Sequence, residues 1–256
     1  MAKIENYPPG TFCWAELATS DQTAAKAFYS AMFGWEFDDM PIPGGVYTIF
    51  RSGADSAAAT YTKSADERTQ WKAYFSVTDV DESAAKVTAA GGNVIFGPFD
   101  VNDAGRMAQA LDPQGALFCL WQGKRNMGAQ HGGPLNYMSW PELATPDASG
   151  AVAFYSALFD WKTKPESGFD AAQYIEWINA GKHMGGLMPM RGEMWKGVPP
   201  HWMLYVTVAN CDESAAKAKE LGANVCVPPT DIPNVGRFSV ITDPQDAVFS
   251  IIQMGA

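Results

Sequence analysis

Glu16 and Glu142 are the residues best placed to do chemistry. Each follows a tryptophan, Trp14 or Trp140, by two positions. Alternate residues of an extended chain share a face, so each carboxylate stands beside an indole. An apolar wall disfavours ionisation and raises a carboxylate's pKa, which suits a general base. The competing use is structural: a carboxylate satisfied by Tyr, Trp or backbone donors. Recurrence of the pair places ligand contact above catalysis. His201, two residues before Met203, is the third acid–base candidate, alone or with Glu142; its counterpart is Gln70. Following Pro199-Pro200, it also reads as a solvent-side residue at a strand start. Cys119 is the plausible nucleophile position, but it has no nearby histidine in sequence, and a buried thiol is inert.

These residues sit inside a duplication. Trp14-Ala15-Glu16-Leu17-Ala18-Thr19 returns as Trp140-Pro141-Glu142-Leu143-Ala144-Thr145. Phe28-Tyr29-Ser30 and Trp35 return as Phe154-Tyr155-Ser156 and Trp161 at the same offset (140 − 14 = 126). So long a period marks a duplicated domain, not a solenoid. Phe12 to Thr19 reads as a strand, with Phe12, Trp14, Glu16 and Ala18 on one face. Ser20 or Asp21 caps a helix carrying Ala24, Phe28, Ala31 and Met32, which Gly34 ends. Three short strands follow, at 35–37, 46–50 and 57–62.

The same order then repeats: a strand at 71–77, a helix opened by Asp79, and strands at 94–96, 106–111 and 117–121. Asp112-Pro113-Gln114-Gly115 makes a tight turn before the last. Asp243-Pro244-Gln245 copies that turn at a larger offset (243 − 112 = 131). The drift requires insertions, expected around Gly168–Ala172 and Gly192–Pro200. The glycine-rich stretch Gln122–Gly133 reads as a linker. Residues 1–124 and 135–256 are thus two modules joined by 125–134.

Further residues share the faces of the two glutamates. Tyr74 and Lys72 lie on one strand face, Cys119 and Trp121 on another, and Tyr205 is the counterpart of Tyr74. Trp14, Tyr74 and Trp121 would wall an aromatic pocket with Glu16 and Lys72 as its polar groups. Trp71 and Trp202 point the other way and pack under helices. Arg106 and Arg237 either receive a ligand carboxylate or pin Asp112, Asp243 or a neighbouring loop.

The formal charge of −10 argues against nucleic acid or an anionic membrane as partner. The four cysteines show no paired spacing and read as reduced, which suits a cytoplasmic protein. The first residues carry no signal-peptide pattern.

A helix-interrupted four-strand unit used twice per module, with an Asp-Pro turn before the last strand, resembles the vicinal oxygen chelate superfamily. That group includes glyoxalase I, extradiol dioxygenases, fosfomycin-resistance enzymes and bleomycin-resistance proteins. The Trp-x-Glu-Leu-x-Thr start and the Phe-Tyr-Ser helix also look like its tandem-module, actinobacterial-type glyoxalase-like branch. The resemblance implies an α+β fold: two tandem modules, each of paired βαβββ units forming a curved mixed sheet with outer helices. It also implies a cavity in which the family's enzymes hold a divalent metal on His, Gln or Glu. By strand register those positions fall on Trp14, near Ala58, Lys72 and Cys119, and on Trp140, Gly186, Met203 and Ser250.

Such residues do not suit a hard divalent ion. Neither metal nor cofactor is therefore expected, although a His183, His201 and Glu142 site is the one arrangement left open. The sequence reads as a metal-free binder of a small aromatic or apolar organic molecule. Its ligand contacts would be Trp14, Glu16, Lys72, Tyr74, Cys119, Trp121, Trp140, Glu142 and Tyr205. The alternative is a metal-dependent or metal-free enzyme of lyase, isomerase or dioxygenase type. The duplication predicts an intramolecular pseudo-dimer, compatible with a monomeric chain. Lys72 has only Met203 as counterpart, so the first module is expected to dominate binding.

Overall fold

A computed structural model describes residues 4–130, 135–165 and 174–255. The first module runs β1 (Phe12–Thr19), α1 (Gln22–Phe33), β2 (Glu36–Ile42), β3 (Gly45–Ser52), β4 (Asp55–Thr62), β5 (Gln70–Ser76), α2 (Val80–Ala89), β6 (Asn93–Val101), β7 (Gly105–Leu111) and β8 (Leu117–Gly123). The second runs β9 (Met138–Thr145), α3 (Ala148–Phe159), β10 (Lys162–Pro165), β11 (Ile175–Asn179), β12 (Lys182–Pro189), a 3-10 turn (Glu193–Trp195), β13 (His201–Thr207), α4 (Cys211–Glu220), β14 (Asn224–Ile232), β15 (Gly236–Thr242) and β16 (Val248–Met254). This is the α+β, twice-paired βαβββ architecture that the sequence predicts.

Each module is one eight-stranded mixed sheet, ordered β2-β3-β4-β1-β5-β8-β7-β6 and β10-β11-β12-β9-β13-β16-β15-β14. Within each βαβββ unit the first and last strands pair parallel, and the two units join antiparallel through β1–β5 or β9–β13. Asp21 caps α1 by accepting the Ala24 N–H, and Gly34 closes it at φ 68°. β2 and β6 are longer than the sequence predicts and take in Pro41 and Pro98. Both are edge strands, where a missing N–H need not cost a ladder bond.

One expected facing is wrong. Phe12 pairs with Phe75, but Trp14 pairs with the adjacent Tyr74, so β1 bulges at Cys13. The bulge turns Phe12 to the helix side, where it meets Phe75 edge-on, and Cys13 to the face of Trp14. β9 repeats the bulge, with Met138 opposite Val206 and Trp140 opposite Tyr205.

The helices also join the two modules. Phe28 and Phe33 of α1 pack on Phe249 of β16, and Phe154, Tyr155 and Phe159 of α3 pack on Phe118 of β8. Phe75 of β5 meets Trp161 and Trp202 directly. One hydrophobic core therefore runs through both modules. The helices stand on the face of each sheet opposite its bowl, as expected, and there they also meet the other module.

The contacts between modules are reciprocal, as a pseudo-dimer requires. Tyr29 donates to Asp243 at 2.9 Å, and Tyr155 to Asp112 at 3.2 Å. Trp35 donates to the Asn136 carbonyl at 2.8 Å and Trp161 to that of Gly10 at 2.9 Å. The described part of the linker is docked, not a loose tether. Ala129 N–H bonds Cys13 O and Gln130 N–H bonds Ser56 O, each at 2.8 Å.

The four-residue insertion before β13 lies where expected: Thr62 and Pro189 differ by 127, Gln70 and His201 by 131 (201 − 70). The other expected insertion, around 168–172, falls outside the described residues. Among the described residues no helix is long and apolar enough to cross a membrane.

Candidate functional site

The first bowl is floored by β1, β5 and β8. Across them Trp14 lies opposite Tyr74, Glu16 opposite Lys72, Tyr74 beside Cys119, and Ser76 beside Trp121. The expected residues of this module thus share one face. All six are buried, and Glu16 is 8% exposed. Tyr47 donates to Glu16 Oε1 at 2.9 Å and accepts from the Trp14 indole at 3.3 Å. Tyr74 donates to Glu16 Oε2 at 2.7 Å. Burial pushes the Glu16 carboxyl up, against the Lys72 charge and the two phenol donors, which pull it down.

Lys72 does not bond Glu16. Its Nζ lies 2.5 Å from Glu67 Oε1 and 2.5 Å from the Tyr61 hydroxyl, which in turn donates to Glu67. Burial would raise the Glu67 carboxyl, but the Lys72 and Tyr61 hydrogen bonds and the Lys72 charge outweigh it and hold it low. The sequence reading missed Glu67, Tyr61 and Tyr47. Tyr47 was recoverable, because Tyr174 repeats it at offset 127 (174 − 47). Glu67 sits in a seven-residue connection without periodicity and gives no such signal.

The second bowl repeats the clamp. Tyr205 donates to Glu142 at 3.0 Å, and Tyr174 bonds Glu142 while accepting from Trp140 at 2.9 Å. Gly186 pairs with Glu142 and leaves room for the Tyr174 hydroxyl. Met203 stands where the first bowl has Lys72. His201 is at the start of β13, its Nδ1 2.9 Å from Pro199 O, and burial lowers its pKa. His183 pairs with Glu176 at 2.9 Å.

Several other assignments change. Ala59, not Ala58, faces the first bowl, since Ala59 pairs with Glu16 while Ala58 joins the core on the helix side. Arg106 and Arg237 pin neither turn aspartate. They make two-pronged pairs with Asp81 and Asp212, in the first turns of α2 and α4. Asp112 and Asp243 instead accept N–H groups of their own turns and the Tyr hydroxyl of the other module. Burial pushes the Cys119 thiol up to about 12, so no thiolate nucleophile forms there.

The rim of the first bowl is apolar. Met40 and Ile42 of β2, on the face of Tyr47, are exposed, as is Phe96 of β6, opposite Gln109. A 120 Å³ pocket beside Trp14 lies between the modules, lined with Tyr7, Cys13 and Ala129 of the first half and with Tyr137, Met138 and Ser139 of the second. A larger cleft of 310 Å³ lies at the module seam, between Asp79 and Lys86 of one module and Leu158 of the other. Neither space includes Glu16 or Glu142, whose clamps lie on the bowl faces.

Comparison with known proteins accounts for both halves. Residues 11–120 match the family described as Glyoxalase/Bleomycin resistance protein/Dioxygenase superfamily, and residues 142–252 match the Glyoxalase-like domain. CFP32 of Mycobacterium tuberculosis, provisionally named a glyoxylase, is 41% identical over 99% of this chain and 98% of its own. The anthracycline biosynthesis protein DnrV of Streptomyces peucetius is 32% identical over 98% and 96%. The chain belongs to the glyoxalase/bleomycin resistance/dioxygenase superfamily. Solved structures share its fold at lower identity. The Mn(II)-bound glyoxalase from Novosphingobium aromaticivorans has a TM-score of 0.64 at 18% identity, over 96% of this chain and 82% of that one. An extradiol ring-cleaving dioxygenase from B. fuscum has 0.68 at 15%, over 99% and 74%.

The metal of the superfamily's enzymes does not fit this chain's bowls. The positions that the resemblance assigns by strand register hold Trp14, Ala59, Lys72 and Cys119 in the first bowl and Trp140, Gly186, Met203 and Ser250 in the second. Both indole N–H groups are donors already committed to tyrosines, and the Lys72 ammonium repels a cation. Among the described residues no three His, Cys, Asp or Glu side chains converge on one point.

Proposed function

We propose that this superfamily member binds a small, flat aromatic or apolar organic molecule in its first bowl without a metal ion. The observation that carries this reading is the composition of that face. Trp14, Tyr47, Tyr74 and Trp121 lie beneath an exposed Met40, Ile42 and Phe96 rim, and no donor set there suits a hard cation. Apolar walls with a few placed polar groups receive such ligands. The relative named for anthracycline biosynthesis supports an aromatic ligand class. A second reading draws on Glu16 itself. A buried carboxyl with a raised pKa, held between two phenols, is arranged as a general base for a metal-free lyase or isomerase.

The test combines elemental analysis of tag-free protein with a fluorescence titration by naphthalene-1-carboxamide. Stoichiometric Mn, Fe, Ni or Zn should be absent. Losing a contacting indole costs about 1.5–3 kcal/mol, so Trp14→Ala should weaken binding roughly ten- to hundredfold. Trp140→Ala should keep wild-type affinity. One metal ion per chain whose removal abolishes binding would overturn the metal-free reading. Weakened binding in Trp140→Ala alone would move the site to the second bowl.

A further inference from the structure

Lys72 is a buried cation at 1% exposure, yet its anion does not come from the sheet. A charge this deep is costly unless paired and hydrogen-bonded. Glu16, across the strand, has both oxygens committed to Tyr47 and Tyr74. The pairing carboxylate belongs to Glu67, in the connection between β4 and β5, and that side chain is 22% exposed. Lys72 and Tyr61 both donate to it, so together they present a two-donor seat for one carboxylate.

The second module supplies the contrast. Met203 replaces the lysine, and the equivalent connection is four residues longer. Its glutamate, Glu193, points to solvent at 92% exposure and pairs only loosely with Lys196, at 3.7 Å. The inward-turned loop carboxylate occurs in the module that has the buried cation.

We propose that Lys72 and Tyr61 form an anion subsite for the carboxylate of an aromatic ligand, and that Glu67 fills this subsite as an internal stand-in which the ligand displaces. The inference rests on the first-bowl reading above and names its ligand class. The exchange conserves charge: one carboxylate leaves for solvent and another replaces it, so Lys72 stays paired. The displaced segment is an exposed connection instead of a strand, so no ladder bond breaks. The ring carried by the incoming carboxylate would then lie toward the Trp14 and Tyr47 wall. Glu67 lowers apparent affinity, because only the fraction of molecules with an empty seat can bind.

The experiment compares 1-naphthoate with neutral naphthalene-1-carboxamide by tryptophan fluorescence, in wild type, Glu67→Gln and Glu67→Gln/Lys72→Met. The double variant copies the Met203 arrangement and leaves no unpaired cation, so it guards against misfolding of the single variant. Circular dichroism confirms folding of all three. Glu67→Gln should bind naphthoate at least about tenfold more tightly than wild type, with carboxamide affinity within about twofold. The double variant should lose the preference for naphthoate. Naphthoate, but not the carboxamide, should also speed tryptic cleavage of wild type at Lys63 or Arg68, which flank Glu67. If the carboxamide binds but Glu67→Gln leaves naphthoate affinity unchanged, the stand-in is refuted and the bowl reading survives. If neither compound binds any variant, both fall.

Discussion

Glu16 shows how one residue's environment can be read in two directions. Burial raises its pKa, so the folded state holds its proton more tightly than the unfolded chain does. The stability from that proton is fully present below the ordinary glutamate value of about 4.3 and is lost as pH rises through the folded-state value. Glu67 behaves oppositely. Its pKa is held low, so its contribution is lost as pH falls through that lower value. Glu16→Gln keeps the Glu67 contribution and lacks its own. The stability of Glu16→Gln relative to wild type should therefore climb as pH rises from about 4.3 through the raised folded-state value. Urea midpoints across that range check it, and a flat difference would mean that Tyr47, Tyr74 and Lys72 cancel the burial effect. The sequence exposed Trp14, Glu16 and Tyr74 because alternation and duplication mark them twice. It concealed Glu67, because a loop residue's partner depends on how the loop folds back, which no strand period encodes.

At the scale of elements, the fold was legible in the repeated helix starts and Asp-Pro turns, while the errors came from irregular backbone. The bulge at Cys13 swaps the facing of Phe12, and strict alternation cannot foresee an extra residue. The same limit moved the fourth-strand position from Ala58 to Ala59. Strand β12 has a sharper requirement. A Cβ on Gly186 would collide with the Tyr174 hydroxyl, whereas Ala59 is tolerated beside Glu16 in the first bowl. Gly186→Ala should cost about 1–3 kcal/mol through overpacking and should push Tyr174 off Glu142. Thermal unfolding measures the first effect. The second appears as a changed environment for Trp140, whose indole donates to the same hydroxyl. Unchanged melting and unchanged Trp140 fluorescence would show that the clamp has room to shift.

The whole molecule is held by an exchange between its halves. Tyr29 accepts from the Trp71 indole of its own sheet at 2.9 Å and donates to Asp243 of the other module. Tyr155 does the same between Trp202 and Asp112. The sequence announced two copies but could not show that their helices would be buried between them. That placement brings Phe28 and Phe33 of α1 onto Phe249, and Phe154 and Phe159 of α3 onto Phe118. With one continuous core, neither module can open without exposing the other's helix face, so unfolding should be a single cooperative transition. Tyr29→Phe leaves the Trp71 N–H and one Asp243 oxygen without this partner, and each buried orphan costs about 1–3 kcal/mol. Tyr155→Phe should cost a similar amount. The two sites share no partner, so the double variant should show nearly the sum. Urea denaturation followed by circular dichroism and by tryptophan fluorescence tests this. Coincident curves that shift together in both variants are expected. Two separated transitions, with Tyr29→Phe moving only one of them, would mean that the modules fold independently and that these bonds are incidental to their contact.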